Sequence, residues 1–255
     1  MSASTTLARS EFTLLVRNRV LLFNALVMPL LFPVVVLIIG RGDGLSDAAV
    51  SAALEVFALF LLVFLVFYNL LSAYTTRRDE LVLKRLRSGE ATDNQILLGP
   101  AVPSFALTAI LTIAVSAIIV GLGGGLPVNP LLILGALGGG AAMFAALALI
   151  TSTFTRNAEA AQITSLPIIL IAMAGTSFLR ESLPDSLDRV VELTPMAAVL
   201  DLVNLGWIGT TDPDTEALAF VDTFEPALAP LLVVAAWTLG SIVVAKTHFR
   251  WEPRA

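Results

Sequence analysis

Long apolar stretches constrain the fold of this chain more than any other feature. A bilayer core of about 30 Å needs roughly 20 consecutive apolar residues of helix to cross it. Five segments reach that length and a sixth nearly does. They are residues 20–40, 50–72, 101–122, 130–150, 160–178 and 227–245. We therefore expect an all-α integral membrane protein with six transmembrane helices.

The composition leaves little room for a separate soluble domain. Hydrophobic residues make up 57% and charged residues 14% of the 255 residues, and the mean hydropathy is +0.89. Soluble domains are about 45–50% apolar and about 25% charged. We therefore expect one membrane domain over residues 1–255. Its parts are an interfacial amphipathic helix or a frayed start of span one (1–19), spans one to five (20–178), an external helical segment (179–226) and span six (227–246).

The distribution of basic residues predicts the orientation of these spans. With six spans and the N-terminus inside, the inner segments carry 12 of the 15 basic residues, and Arg41, Arg180 and Arg189 lie outside. Loops on the cytoplasmic side are enriched in Lys and Arg. Both termini are therefore predicted to be cytoplasmic. The bias toward Arg, Ala, Gly and Leu is typical of a GC-rich bacterial genome, so we expect a bacterial plasma membrane protein.

The only sizeable inner loop is residues 77–99, which concentrates charge of both signs. A short helix is expected over residues 77–88, and Asp93 is expected to cap a second helix that begins near Asn94. Three interpretations stay open: a docking helix for a soluble partner, an anchor on anionic lipid headgroups, or a determinant of topology. Asp79, Glu80 and Glu90 argue against a purely lipid-binding role, because anionic headgroups repel carboxylates.

Small and acidic residues inside the spans give two further predictions. Gly135 and Gly139 form a G-x-x-x-G pattern in the fourth span, which favours close packing against another helix. Glu55 is the clear charge at membrane depth. An intramembrane acid is a candidate functional residue, although a glutamate near a helix end that reaches outer water fits the same position.

Catalytic chemistry is poorly represented in the chain. Residues 240–247 approach the phosphate-binding pattern G-x-x-x-x-G-K-[ST], but Ala245 replaces the second glycine that lets the backbone wrap phosphate. The chain has no cysteine, and His248 is its single histidine. A metal site needs several such ligands. We therefore expect neither an enzyme nor a metal or cofactor site in this chain.

Three separated stretches resemble the membrane subunit of ABC-2 type transporters. The first is Leu15-Val16-Arg17-Asn18-Arg19, followed by a span that contains Met28-Pro29-Leu30-Leu31. The second is Arg77-Arg78-Asp79-Glu80 with Leu83-Lys84-Arg85-Leu86-Arg87 and Ile96-Leu97-Leu98-Gly99. The third runs from Gly175 through Leu183-Pro184 and Thr194-Pro195 to Asp201. The family often has a glycine shortly after the acidic residue of the second stretch, where Leu81 and Val82 stand here.

This resemblance implies a permease of an ATP-driven exporter, as in drug or polysaccharide efflux. It implies two permease copies, or one copy with a homologous permease, in the lipid bilayer. It also implies a separate cytoplasmic ABC ATPase that holds ATP and Mg, and no nucleic-acid partner. The ATPase-docking residues would be Arg77, Arg78, Asp79, Glu80, Lys84, Arg85, Arg87 and Arg156, with residues 151–159 as a second contact. Pro184, Pro195 and Asp201 would belong to the external roof of the exit path.

Two other functions fit the sequence without that resemblance. A stand-alone secondary carrier or channel would work without an ATPase. A membrane scaffold or sensor subunit would dock a partner and transport nothing. The apolar spans are compatible with lipophilic cargo, but no pattern in the chain identifies the cargo.

Overall fold

Helices form nearly all of the part of the chain that the computed structural model describes, which is residues 19–42, 44–87, 92–180 and 182–249. No β-strand occurs in these ranges. The helices are α1 (Arg19–Ile39), α2 (Asp47–Asp79), α3 (Val82–Arg87), α4 (Asp93–Leu98), α5 (Ala101–Gly121), α6 (Pro130–Phe154), α7 (Ala161–Ala174), α8 (Ser177–Arg180), α9 (Asp188–Glu192), α10 (Pro195–Trp207) and α11 (Phe224–His248).

Four of these helices, α2, α5, α6 and α11, are long and apolar enough to cross a membrane. They correspond to the predicted second, third, fourth and sixth spans. The predicted first and fifth spans correspond to α1 and α7. Among the residues whose side chains the structure describes, their apolar segments are Leu26–Ile39 and Ala161–Ala174. The all-α membrane class is confirmed, and the count of six spans stays a prediction. The predicted interfacial helix lies outside the described residues.

The long helix α2 is not α-helical throughout. Its middle, Phe60–Tyr68, is a π-helix of nine residues, flanked by α-helical turns on both sides. Aromatic rings hold this section in place: Phe60 stacks on Phe32 of α1 at 4.6 Å, and Phe67 meets Phe144 of α6 edge to face at 6.5 Å. A π-helical section shifts the register of the side chains beyond it, and such sections are frequent at functional sites.

Helix α6 is the centre of the bundle and packs against α2, α5, α7, α10 and α11. Its glycines contribute unequally to this packing. A Cβ built on Gly140 would come within 2.9 Å of Leu62 and 3.1 Å of Val199, and one on Gly139 would meet Val234 of α11 at 3.4 Å. A Cβ on Gly135 would meet no atom within 4 Å. Gly140, which the G-x-x-x-G pattern does not include, therefore makes the closest approach.

Helix α10 lies inside the bundle. Almost all of its residues are buried, and it packs against α2, α6, α7 and α11. It belongs to the predicted external helical segment (179–226), and its burial excludes a position on the surface of the bundle. Thr194 caps its first turn by accepting a hydrogen bond from the Ala197 amide at 3.4 Å, and Pro195 follows as the first helical residue, where its missing N–H costs nothing.

The two ends of the bundle differ in charge. The basic end is formed by the C-terminal ends of α2, α6 and α11 together with α3, α4 and residues 155–160. The acidic end is formed by residues 40–42, 44–46, 122–129, 175–180, 182–194 and 208–223. At the acidic end Asn129 is fully buried, accepts from the Leu131 and Leu132 amides and donates to Thr223 Oγ1 at 2.9 Å. One side chain thus caps α6 and joins it to the start of α11.

Candidate functional site at the basic end

Arg78 closes the C-terminal end of α6. Its side chain is 1% exposed, and its guanidinium donates to the carbonyl oxygens of Ser152 (2.7 Å), Thr155 (2.5 Å) and Arg156 (3.2 Å). The last carbonyls of a helix have no partner within the helix, and they carry the negative end of its dipole. The buried guanidinium of Arg78 supplies hydrogen-bond donors to these carbonyls and places a positive charge at the negative end of the dipole.

The neighbouring Asp79 makes a second connection to the same loop. Its Oδ2 accepts a hydrogen bond from the Ala158 amide at 3.2 Å. The loop has its own support, because Thr155 Oγ1 bonds Thr164 Oγ1 at 2.8 Å and Asn157 Oδ1 accepts from the Ala160 amide. We call Arg78, Asp79 and residues 152–158 the clamp. It makes the end of α2 and the loop after α6 one structural unit.

Helices α3 and α4 are fastened to α2 by their apolar sides. Leu83 and Ile96 are fully buried, and Tyr74 donates its hydroxyl hydrogen to the Leu97 carbonyl at 2.8 Å. Charged and apolar side chains are both exposed at this end. Glu80, Arg85 and Arg156 are exposed and Arg77 is half-buried. Leu81 and Leu98 are also exposed. The backbone of α3 includes Lys84 and Arg87. Of the predicted docking residues, Arg78, Asp79 and Arg156 are therefore joined by the clamp, and α3 follows the clamp in the chain.

Two details of the sequence prediction change here. Residues 77–88 do not form one helix, because α2 continues to Asp79 and α3 begins at Val82. Arg78 does not lie on the surface, because its guanidinium is occupied by the end of α6. The cap of α4 is Thr92 and not Asp93: Thr92 Oγ1 accepts from the Gln95 amide, and the Gln95 side chain accepts from the Thr92 amide.

The turn between α2 and α3 depends on an unfavourable backbone conformation. Leu81 has φ +60°, the single positive φ of a non-glycine residue among those described. In this left-handed region a Cβ approaches the following carbonyl oxygen, which costs roughly 1–2 kcal/mol. Glycine carries no such cost.

We expect Leu81→Gly to stabilise the protein by about 1 kcal/mol, because the relief of backbone strain exceeds the entropy cost of glycine. The side chain is 40% exposed, so its loss removes only part of a contact. Thermal unfolding in detergent measures the change. Leu81→Ala is the control, since it shortens the side chain and keeps the Cβ. A glycine variant that unfolds below the alanine variant would contradict this explanation.

At the acidic end, the predicted roof residues occupy different environments. Pro184 is exposed and begins a turn in which the Leu187 amide donates to its carbonyl at 2.8 Å. Pro195 is buried at the start of α10. Asp201, also on α10, pairs with Arg180 at 3.2 Å. Burial raises the pKa of the Asp201 carboxyl, and the Arg180 charge opposes this effect. Because burial has the larger effect on this pKa, the ion pair with Arg180 only partly compensates for the hydration that the Asp201 carboxylate loses.

An apolar cavity of about 720 Å³ lies between α6, α7 and α11, in the half of the bundle nearest the basic end. Its lining is aliphatic and aromatic, with a few hydroxyl groups. The lining includes Leu147, Phe154, Pro167, Trp237, Ser241 and Val244. Such a wall accepts hydrocarbon or aromatic groups and offers no charged partner. In the described ranges, no group of three or more His, Asp or Glu residues is placed to hold a metal ion.

Comparison with known families identifies the class of this membrane protein. The ABC-2 type transporter family model matches residues 3–205. The match covers most of the chain and includes α2, the clamp and most of α10, so the chain belongs to the ABC-2 type transporter family. It is a multi-pass membrane permease of an ABC transporter, and permeases of this family work with ABC ATPases. A comparison with curated proteins gave no match.

Proposed function

We propose that this chain is the permease subunit of an ATP-driven exporter and that its basic end docks a separate ATPase on the cytoplasmic side. The observation that carries the proposal is the clamp. It joins two segments that are distant in sequence, α2–α3 and the loop after α6, at one end of the bundle. A partner that pushes on the exposed surface near α3 would therefore act on α2 and α6 together.

The charges around the clamp suit a protein partner. Glu80 is acidic, Arg85 and Arg156 are basic, and all three are exposed. A mixed surface allows paired contacts that specify orientation. A purely basic surface would be expected if anionic lipid were the partner. In this proposal Arg77, Asp79, Lys84 and Arg87 belong to the docking region, and Arg78 positions it from inside.

The remaining parts of the proposal follow from the family and the charge distribution. The chain is one membrane domain over residues 1–255 with both termini in the cytoplasm of a bacterial cell. It pairs with a second copy or a homologous permease, and ATP and Mg are bound by the partner ATPase. Residues near Pro184, Pro195 and Asp201 roof the exit path at the acidic end.

Gly135 and Gly139 contribute to helix packing. Since Gly135 faces open space within the chain, its contact would be with another helix in the assembly.

Affinity purification from cells that express the neighbouring genes tests the docking surface. We expect an ABC ATPase to co-purify with the wild-type chain and its yield to fall at least 10-fold with Glu80→Ala/Arg85→Ala, a loss of about 1.4 kcal/mol. The matched control is Asp188→Ala/Arg189→Ala. It also removes one exposed acid and one exposed base, but at the acidic end.

Each part of this experiment can fail separately. If no chain retains an ATPase, the permease does not work through a stably docked partner of this kind. If both double variants retain the ATPase equally, docking uses another surface. ATP-dependent uptake of cargo into inverted membrane vesicles tests the direction of transport, and loss of cargo from such vesicles would contradict export.

A further inference from the structure

Glu55 ties α2 to Ser177, the first residue of α8, at the turn that follows α7. Its carboxylate accepts hydrogen bonds from the Ser177 amide at 2.8 Å and from the Ser177 hydroxyl at 2.5 Å. The two residues are 122 positions apart in the sequence. Hydrogen bonds to a charged acceptor are roughly twice as strong as those between neutral groups. We call this pair of bonds the Glu55 latch.

The latch is part of a set of contacts that closes the acidic end between α2 and α10. One turn before Glu55, the buried Ser51 donates its hydroxyl hydrogen to Asn204 Oδ1 of α10 at 2.9 Å. On the other side, a Cβ built on Gly175 would lie 2.6 Å from the Ala197 nitrogen, so the end of α7 rests directly on α10. The turn that carries Ser177 is thus held between α2 and α10.

Helix α2 also connects the latch to the clamp. Glu55 and Arg78 lie on the same continuous helix, separated by about 35 Å at a helical rise of 1.5 Å per residue. That distance is similar to the thickness of a bilayer core. The π-helical section Phe60–Tyr68 lies between them. A change in its register would rotate or shift one end of α2 relative to the other.

From these contacts we infer that the Glu55 latch is a gate contact, formed when the acidic end is closed and broken when it opens. The inference rests on the proposed function, since it places the exit path at the acidic end. Glu55 is a positioning residue in this mechanism: it holds α2 against the Ser177 turn and makes no contact with ATP. ATP binding to the ATPase docked at the basic end would favour the open arrangement only if the ATP-bound ATPase binds that arrangement more tightly than the closed one.

The absence of cysteine from the sequence allows a clean test with a single reporter. Ser51→Cys places a thiol where the side chain is 7% exposed against α10, and a polar maleimide would reach it only when α2 and α10 separate. The complex with its ATPase is reconstituted in nanodiscs, and the labelling rate is measured without nucleotide and after trapping with ATP and vanadate. Asn204→Cys is a second reporter on the opposing helix, for use if Ser51→Cys does not fold.

The expected rates distinguish the bonds of the latch from a general structural effect. Without nucleotide, Glu55→Ala is expected to speed labelling at least 10-fold and Ser177→Ala less, because Ser177→Ala retains the amide donor. Glu55→Gln should label at nearly the reporter's own rate, since its amide oxygen accepts from the Ser177 amide and its NH₂ group donates to the hydroxyl. Asp47→Ala, an exposed acid at the same end of α2, is the matched control and should not change the rate.

Failure of the latch and failure of the proposed function give different results. Equal labelling rates of the reporter in Glu55→Ala and Glu55→Gln, whether slow or fast, would overturn the inference that the Glu55 latch is a gate contact. If the Glu55 variants behave as expected but trapping changes no rate in any chain, the latch stands and its coupling to the ATPase is wrong. Size-exclusion elution and the melting temperature of each variant confirm that a fast rate comes from a folded complex.

Discussion

Arg78→Ala is expected to lower the free energy of unfolding by about 3 kcal/mol or more, a large effect for a single charged residue. The variant removes the donors to three carbonyl oxygens at the end of α6. Each buried polar group that loses its partner costs about 1–3 kcal/mol. The loss of positive charge at the helix C-terminus adds a further 0.3–1 kcal/mol or so.

Thermal unfolding of the purified permease measures this effect. Arg78→Lys should lie between the wild type and the alanine variant, because an ammonium keeps the charge but lacks the planar fork that reaches several acceptors. Arg85→Ala, an exposed arginine on the adjoining helix, should change stability by less than about 0.5 kcal/mol. If Arg78→Ala and Arg85→Ala unfold at the same temperature, the clamp does not hold the end of α6.

The clamp shows where sequence reasoning reached its limit. Arg77 and Arg78 are adjacent and identical in type, so the charged segment could be recognised but its buried member could not. Only the packing of α2 against α6 decides which guanidinium faces the unpaired carbonyls. The partners in the loop after α6 are backbone atoms, which leave no signal in the residue types. The sequence therefore included Arg78 among the predicted docking residues but did not identify it as the buried one.

Some missed features did leave a signal. Thr92 and Gln95 form the T-x-x-Q pattern of a capping box, so the cap of α4 could have been placed at Thr92. The long apolar stretches predicted α2, α5, α6 and α11, because length and hydropathy alone define a span. The π-helical section and the Glu55–Ser177 contact could not be derived this way. The former depends on packing against α1 and α6, and the latter joins residues far apart in the sequence.

Gly175→Ala is the second substitution for which we expect a large loss of stability, about 3 kcal/mol. The added Cβ would lie 2.6 Å from the Ala197 nitrogen and 2.8 Å from Thr194 Oγ1. The backbone at position 175 has φ −77°, so the cost comes from steric overlap and not from the dihedral angle. Overlap in a packed interior costs typically 1–3 kcal/mol. Displacing Thr194 would also weaken the N-cap of α10, by about 1 kcal/mol.

The identical substitution at Gly138 isolates this steric effect. A Cβ at Gly138 would meet no atom within 4 Å, and alanine is favoured over glycine in a helix by up to about 1 kcal/mol. Gly138→Ala should therefore unfold at or above the wild-type temperature, and Gly175→Ala well below it. Equal melting temperatures would mean that α7 and α10 are not in backbone contact.

Because Gly175 is two residues from Ser177, the same overlap should also push the Ser177 turn away from Glu55. Faster labelling of the Ser51→Cys reporter in a folded Gly175→Ala complex would then connect the packing of α10 to the closure of the acidic end.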